Sequence, residues 1–443
     1  MYCGLYETTI TPSLGMRIPG DFLPSVGQKV DDDLYVKAAY FDDGRNAFLI
    51  LAFDTVGIMR PTVLKIRAAA ARACGLDPQS VMVCCTHDHS GGPANEFPPM
   101  NPEEPEYISL LLSRCGLAAG MAKEKRQPVL IGYGLGQEEK VSFNRRYWFK
   151  DGKIHTWPGF DNPDRLAVEG GIDPDVAVIR IDDLHGNPVG VISNFACHVT
   201  AHIQHGDSEA FSADYPGQIA QVIKQQLGPN VVSLFLTGAC GNVTQVDWEE
   251  RIFTRGQIFG DSHHKTMGRI LAFDILRARE FAIPAPVDCL KTASSVLPLE
   301  CRIPNEQAYD QAKAYLSEHP VGSAVSRDEH VEEFYAVSAV QLYEGQPTLP
   351  AELQVLLLGD IAIAAFPGEM FCELGMELKK SLPQKLLIST LSNGDVGYIP
   401  TEQAMMNGGY EGKIGFTSCA GIHSGQQMID ESARLIRQLA ALT

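Results

Sequence analysis

The feature that most constrains the fold is an apolar run at 81–85 that leads directly into Thr-His-Asp-His-Ser-Gly-Gly at 86–92. Such a run is typical of a buried strand in an α/β protein, and open α/β sheets bind ligands beyond the carboxyl ends of their strands. Side chains alternate along a strand, so His87 and His89 are predicted to point the same way. Both imidazoles could bind one metal ion, or one could bind metal while the other transfers protons. Taken alone, the motif fits equally well two histidines that merely end a strand.

Apolar runs alternate with helix-like segments along the chain, as in α/β proteins. Strands are predicted at 47–53, 81–86, 189–196, 231–236, 353–358, 361–366 and 386–391, and helices at 62–73, 217–226, 306–318, from 369 onward and at 426–441. The more charged region 284–350 is predicted to be a peripheral insertion or cap. No linker divides the chain, which predicts one α/β domain over residues 1–443.

Charge and composition exclude several classes of partner. The chain has 36 Lys plus Arg against 54 Asp plus Glu, a formal net charge of −18, which disfavours nucleic acids and anionic membranes. Nothing resembles a signal peptide, and no apolar run approaches the roughly 20 residues of a membrane span, so a cytoplasmic protein without stable membrane association is predicted. The 11 cysteines include no Cys-x-x-Cys pair, which favours reduced thiols over disulfides or a structural zinc site. The composition is compatible with either a monomer or a homo-oligomer.

Further side chains that can bind metals lie where predicted strands end. His198 follows the strand at 189–196, and neutral imidazole is a common transition-metal ligand. Glu369 follows Pro-Gly at the predicted start of a helix, where its carboxylate suits either the helix dipole or a metal ion. Tyr398 and Tyr410 lie in glycine-containing segments and, by themselves, are typical of core residues.

Neighbouring polar residues are interpreted as structural. His202 and His205 follow His198 in a polar loop, and they are predicted to be surface or supporting residues rather than ligands. Asp214 precedes a helical pattern, where a carboxylate commonly caps the helix.

Six spaced motifs together resemble the catalytic domain of the neutral/alkaline (non-lysosomal) ceramidase family. In the family's order they are Thr86-His87-Asp88-His89-Ser90-Gly91, Asn144-Arg145, Asn194 to His198, Pro367-Gly368-Glu369, Gly397-Tyr398 and Tyr410-Glu411-Gly412. Each motif is short, but six in order are fairly specific. The resemblance implies the fold of that domain, a layered α/β sandwich with a mixed sheet, without the family's C-terminal immunoglobulin-like domain.

The resemblance also implies a site and a reaction. The implied ligands of one zinc ion per chain are His87, His198, Glu369 and Tyr398. The residues implied to line the reacting carbonyl are His89, Arg145 and Tyr410. Zinc lowers the pKa of a bound water to about 7, which makes hydroxide available for attack on an amide carbonyl. His89 would then transfer the proton, while Arg145 and Tyr410 would stabilise the oxyanion.

The chain departs from the family at two places. The segment 241–246 reads Gly-Asn-Val-Thr-Gln-Val where the family has Gly-Asp-Val-Ser-Pro-Asn, and Arg146-Tyr147 stands in place of Ser-Pro. Together with the expected cytoplasmic location, these departures favour a small soluble N-acyl substrate over ceramide. The predicted function is therefore that of a zinc-dependent amidohydrolase acting on a small acyl compound.

Three alternatives remain. The same metal scaffold could cleave a sugar-linked ester, a lactone or a glycosidic bond. Residues 88–92 also resemble the Asp-His-x-Gly-Gly of metallo-β-lactamase-type hydrolases, but of the His-x-His that should precede them only His87 is a histidine. A catalytically silent small-molecule-binding protein is the third alternative, and the presence of all the implied site residues argues against it.

Overall fold

Eight strands of the described chain form one mixed sheet, and most of them read as continuous apolar runs because both faces are covered. In chain order they are β1 (Tyr2–Thr9), β2 (Tyr35–Asp42), β3 (Ala47–Phe53), β4 (Val81–Cys85), β5 (Gln127–Gln137), β6 (Asp175–Asp183), β7 (Pro188–Phe195) and β8 (Val232–Thr237). Their spatial order is β8-β7-β6-β5-β1-β2-β3-β4. The edge pairs β3–β4 and β7–β8 are parallel, and the pairs between them are antiparallel. The computed structural model describes residues 1–95, 104–203, 209–260 and 262–441.

A second, smaller sheet packs against the first. Its strands are β9 (Leu290–Glu300), β10 (Thr348–Leu358), β11 (Ile361–Ala365) and β12 (Lys385–Ser389). The strand β9 pairs with β10 along its whole length, so the region 284–350, for which the sequence predicts a peripheral insertion or cap, contributes a strand to this sheet. Most residues of β9 alternate between half-buried and exposed. This exposure explains why the sequence of the strand resembles that of a surface segment. The two-residue turn Gly359-Asp360 joins β10 to β11.

Helices cover the outer faces of both sheets. Those of the described chain are α1 (Arg60–Cys74), α2 (Pro105–Glu124), α3 (Asp214–Leu227), α4 (Arg255–Ile258), α5 (His263–Phe281), α6 (Glu306–Glu318), α7 (Arg327–Glu344), α8 (Cys372–Lys380), α9 (Glu402–Asn407) and α10 (Ser424–Ala441). The helices α1, α2, α3 and α5 pack on the larger sheet, and α8 and α10 pack on the smaller one. The result is the predicted layered α/β sandwich. Among the described helices none is long and apolar enough to cross a bilayer.

Short elements complete the described chain and lie largely in the connections. Small ladders join Arg17–Ile18 to Ser25–Val26, Lys29–Val30 to Ala210–Phe211, Phe143–Asn144 to Val243–Thr244, Arg146–Phe149 to Ile154–Thr156 and Arg165–Val168, and Glu369–Met370 to Tyr398–Ile399. Single 3-10 turns occur at Pro78–Ser80 and Tyr410–Gly412.

The two edges of the larger sheet meet at one end. Thr237, the last residue of β8, donates its hydroxyl to the carbonyl of Thr86, just beyond β4, over 2.7 Å. Asp88 forms a parallel bridge with Val199, which lies beyond β7. The loops after β4 and β7 therefore lie side by side, although their strands are far apart in the order of the sheet.

Two local predictions are wrong. The strand β4 ends at Cys85 and His87 has a φ of +66°, so strand alternation does not orient the two histidines. Glu369 does not open a helix, because Glu369–Met370 pairs with Tyr398–Ile399 and α8 begins only at Cys372. In both places a tertiary contact replaces the local pattern.

Candidate metal centre

Three imidazoles converge where the edges of the larger sheet meet. His87 and His89 lie in the loop after β4 and His198 lies in the loop after β7, and their ligand atoms are all within 4.8 Å of one another. His87 and His198 are almost completely buried. Such a group of three imidazoles can hold a metal ion.

Each imidazole is oriented by a hydrogen bond from its Nδ1 to a backbone carbonyl. The acceptors are Val56 O for His87 (2.8 Å), Gly20 O for His89 (2.7 Å) and Cys240 O for His198 (2.8 Å). A carbonyl can only accept, so the proton of each neutral ring is on Nδ1 and the lone pair on Nε2. This is the orientation that second-layer hydrogen bonds impose on metal-binding histidines.

The Glu369 carboxylate completes the group. Its Oε2 atom lies 3.3 Å from His87 Nε2 and 3.0 Å from His198 Nε2, yet no residue of the described chain donates a hydrogen bond to this buried oxygen. When both rings carry their proton on Nδ1, the carboxylate oxygen faces two nitrogen lone pairs. Either a metal cation between these atoms or a proton on His87 Nε2 relieves the repulsion between the acceptors, since burial lowers the pKa of His87 but the Glu369 carboxylate outweighs it and raises that pKa. The mixture of nitrogen and oxygen donors fits zinc.

The electrostatics keep two of these rings neutral. Burial, with the nearby Arg145 guanidinium, lowers the pKa of His198 to about 4. Burial, with the adjacent His87, lowers the pKa of His89 well below its usual value. Burial raises the pKa of Glu369, but His87 and His198 outweigh it and hold that pKa well below its usual value. The carboxylate is therefore ionised and the Nε2 atoms of His89 and His198 are available as acceptors at neutral pH.

Tyr398 reaches the site because its backbone pairs directly with Glu369 in a two-residue parallel ladder. Its hydroxyl accepts a hydrogen bond from Arg145 Nη2 at 3.1 Å. Burial and the Glu369 carboxylate raise the pKa of Tyr398 well above its usual value, and Arg145 acts in the opposite direction. A metal cation beside the phenol would add to the effect of Arg145.

Arg145 lies behind the residues that line the cavity, and it is not itself one of the described lining residues. Its Nη1 atom lies 3.3 Å from His198 Nε2, and its Nε donates to Glu411 Oε1 over 2.9 Å. The other oxygen of Glu411 accepts from Arg146 Nη1 at 2.7 Å. Glu411 is fully buried and holds both arginines, a role that the Tyr410-Glu411-Gly412 motif does not indicate. The sequence feature that could have indicated this residue is the pair of adjacent arginines 145 and 146, because two arginines that become buried require a buried carboxylate as their partner.

A cavity of about 330 Å³ opens onto the centre. Five of the predicted residues line it: His87, His89, Glu369, Tyr398 and Tyr410. The Tyr410 ring packs against Tyr398, Trp157 and Phe22, with ring centroids 5.5, 4.8 and 6.3 Å away. The helix α7 contributes His330, Glu333 and Phe334 to the lining of the same cavity. All seven predicted residues thus lie in or directly behind one cavity wall.

The predictions for the neighbouring polar residues have mixed outcomes. His202 is fully buried rather than at the surface, and it supports the loop after β4 through Ser90 Oγ at 2.9 Å and Asp31 Oδ2 at 3.0 Å. Asp214 is the first residue of α3 and accepts the backbone N–H of His202 over 2.8 Å. His205 lies outside the described residues.

Comparison of the chain with known proteins points to one group. No protein-family model matches the chain. A segment of 147 residues is 25% identical to the neutral ceramidase of Pseudomonas aeruginosa, and it covers 31% of this chain and 21% of that enzyme. The match therefore spans only about a fifth of the length of the curated relative.

The whole chain superposes on solved ceramidase structures. A ceramidase complexed with C2 matches with a TM-score of 0.72 and 16% identity, over 99% of this chain and 75% of the other. The neutral ceramidase of Pseudomonas aeruginosa matches with a TM-score of 0.71 and 16% identity, over 99% and 74% of the two chains. The fold predicted from the six motifs is confirmed.

Proposed function

We propose that this chain, which has the fold of the neutral ceramidases, is a zinc-dependent amidohydrolase that cleaves a small soluble N-acyl amine. The observation that carries the proposal is the unpartnered Glu369 Oε2 among imidazole lone pairs at one end of a cavity. Zinc, when bound, supplies a Lewis acid that polarises a carbonyl and lowers the pKa of water to about 7.

The side chains that would hold the ion are His87, His198 and Glu369, with Tyr398 as the fourth. Their geometry is set in advance, because each imidazole is anchored through Nδ1 and Glu369 pairs with Tyr398 through the backbone. Pre-orientation of this kind lowers the entropy that is lost when metal and substrate bind.

His89 is proposed to move the proton. Its Nδ1 donates to Gly20 O, so the Nε2 atom, 3.4 Å from His87 Nε2, can accept a proton from the attacking water. Its pKa, lowered by burial and by His87, keeps the ring unprotonated before reaction, as a general base requires. The same atom then donates the proton to the leaving nitrogen.

Tyr410 and Arg145 are proposed to stabilise negative charge on the carbonyl oxygen. Burial raises the pKa of Tyr410, so its hydroxyl remains protonated and can donate a hydrogen bond from the cavity wall. Arg145 acts from behind, since its guanidinium holds the Tyr398 hydroxyl and lies beside His198.

The size of the cavity supports a small substrate. A cavity of about 330 Å³ is at the lower end of the 300–1,000 Å³ that is typical of small-molecule sites. This volume suits a short acyl chain with a small amine better than a lipid with two long chains.

Removal of the metal is the direct test of the proposed function. We expect about one zinc ion per chain in the purified protein, complete loss of hydrolysis of short N-acyl amines after dialysis against a chelator, and recovery on adding zinc. Elemental analysis and an amine-release assay measure the two quantities. Activity that survives a demonstrated loss of metal would refute the proposal, and a circular dichroism spectrum controls for unfolding.

A His89→Ala variant separates the proton carrier from the ligands. We expect its kcat to fall by about 10²–10⁴-fold, as for removal of a general base, while its zinc content stays equal to that of the wild type. The matched control is His155→Ala, because His155 is a half-exposed imidazole paired with Asp151. If zinc is lost from the His89 variant alone, His89 is a ligand instead.

A further inference from the structure

The cavity wall contains a second polar group beside the metal centre. Asn95 and Asp395 both line the cavity, and both reach the space next to Gly57. A Cβ atom built on Gly57 would lie 2.9 Å from Asp395 Oδ2 and 3.7 Å from Asn95 Nδ2. Gly57 follows Val56, whose carbonyl anchors His87. We call Gly57, Asn95 and Asp395 the amine subsite.

Asn95 in this subsite has an unsatisfied acceptor. Its side chain is more than nine-tenths buried, with 7% of the residue exposed, and its Oδ1 atom has no hydrogen-bond partner among the residues that the structure describes. Buried amide oxygens are nearly always paired in proteins, and exceptions often mark a ligand that the oxygen binds. A ligand in the cavity that Asn95 lines would supply the hydrogen-bond donor that this oxygen lacks.

Asp395 adds a negative charge at the same place. Its Oδ1 atom accepts the N–H of Gly397 over 2.9 Å. This hydrogen bond gives a structural role to only one of the two carboxylate oxygens. The other oxygen faces the space beside Gly57. Within the described part of the chain no arginine or lysine forms an ion pair with Asp395, whereas Arg17, the arginine of the cavity wall, is paired with Glu104 at 2.8 Å.

A second carboxylate in the lining of the cavity has the same sign of charge. Glu333 of α7 lines the cavity and is buried, and among the described residues it too has no arginine or lysine in ion-pair distance. A small cavity whose lining contains several carboxylates attracts cations and repels carboxylates. A donor that is also positively charged satisfies both the carboxamide and the carboxylate of the amine subsite.

We infer that the substrate is a monoacylated diamine, whose free primary ammonium group is bound by Asp395 and Asn95 while the amide carbonyl lies at the metal centre. The inference rests on the proposed function and specifies its substrate class. Hydrolysis breaks the amide C–N bond, forms a C–O bond with the water oxygen and delivers a water proton to the departing nitrogen. The products are a short carboxylate and a diamine.

Three isosteric substrates test the inference. N-acetyl-1,3-diaminopropane, N-acetyl-3-aminopropanol and N-acetylbutylamine have the same number of heavy atoms and end in ammonium, hydroxyl and methyl groups. We expect kcat/KM for the ammonium compound, or for its homologue with two or four methylenes, to exceed that for the methyl compound of the same length by at least about 100-fold. Sites built to bind a polar group reject analogues that lack it by such factors or more.

Two variants connect this preference to the amine subsite. Asp395→Asn removes the charge but retains an oxygen for Gly397 N–H, and Gly57→Ala fills the space, since the φ of Gly57 is outside the left-handed region. In each variant we expect the preference to fall below about tenfold, with unchanged zinc content. Asp360→Asn, in the turn between β10 and β11 and paired with Lys385, is the matched control and keeps the full preference.

The outcomes separate the inference from the proposed function. If wild-type enzyme hydrolyses all three compounds equally well, the inference is wrong and the proposed function stands. If it hydrolyses none, calorimetric binding of 1,3-diaminopropane and butylamine decides. Preferential binding of the diamine that both variants lose supports the amine subsite while refuting the amidohydrolase. Equal or absent binding of the two amines overturns the inference.

Discussion

Replacing His198 with alanine is expected to abolish zinc binding and to lower kcat/KM by at least about 1,000-fold, or about 4 kcal/mol of transition-state stabilisation. His198 Nε2 lies 3.0 Å from Glu369 Oε2 and 3.3 Å from Arg145 Nη1, and it carries a lone pair because Nδ1 donates to the carbonyl of Cys240. Its removal leaves His87, Glu369 and Tyr398 without the second imidazole of the ligand set, and it exposes the neighbouring Arg145 to the centre. Repulsion by that guanidinium would further disfavour a dication.

Elemental analysis and kinetics on the same preparation measure both effects. Glu369→Gln is a second variant that nearly preserves shape, and we expect it to lose zinc as well, because a neutral amide is a weak zinc ligand. The control His155→Ala removes a half-exposed imidazole and should retain metal and activity. One equivalent of zinc and full activity in His198→Ala would show that the centre lies elsewhere.

Replacing Glu411 with glutamine is expected to destabilise the protein by about 3–5 kcal/mol, as when one partner of a buried ion pair is removed. Glu411 bonds Arg145 at 2.9 Å and Arg146 at 2.7 Å, and none of these three side chains is more than 4% exposed. Burial raises the pKa of Glu411, but the two arginines outweigh it and hold it below its usual value. Glutamine keeps the size and loses the charge, which leaves Arg145 without a carboxylate.

The measurement is the free energy of unfolding from urea titration. The matched control is Glu402→Gln, since Glu402 forms an exposed pair with His423, and surface pairs contribute about 0–1 kcal/mol. Activity should fall in the Glu411 variant as well, because Arg145 loses the contact that holds it beside His198 and Tyr398. A Glu411 variant as stable as the control would show that Arg146 and Glu169 alone maintain the network.

Local patterns predicted much of the fold. The strand at 47–53 and the helix at 306–318 have the predicted bounds, because their apolar spacing agrees with their burial. The strand β5 was missed, since glycines 132, 134 and 136 make it a poor strand by propensity. A Cβ atom on Gly134 would lie 2.1 Å from the carbonyl oxygen of Ala278 in α5. Those glycines are explained by the helix that packs on them.

The motifs led to residues that the structure brings together, but they did not predict how those residues are arranged. The motifs identified His87, His198, Glu369, Tyr398 and Tyr410, all of which lie within one wall of the cavity or behind it. Strand alternation does not explain why His87 and His89 converge. Their rings are oriented instead by hydrogen bonds to the backbone carbonyls of Val56 and Gly20. The amine subsite was not foreseen, because Asn95 and Asp395 are 300 positions apart and neither carries a motif.

By itself the sequence determined which side chains are available at the ends of buried strands, because apolar runs and the polar residues that follow them are local properties. Apart from the family resemblance, which implied a shared zinc ion, only the tertiary structure decided that these side chains share one centre. The edges of the larger sheet meet through Thr237 and Thr86, and Glu369 pairs with Tyr398 across 29 positions of chain. Such contacts depend on the twist and closure of a whole sheet, a property that no local pattern of residues encodes.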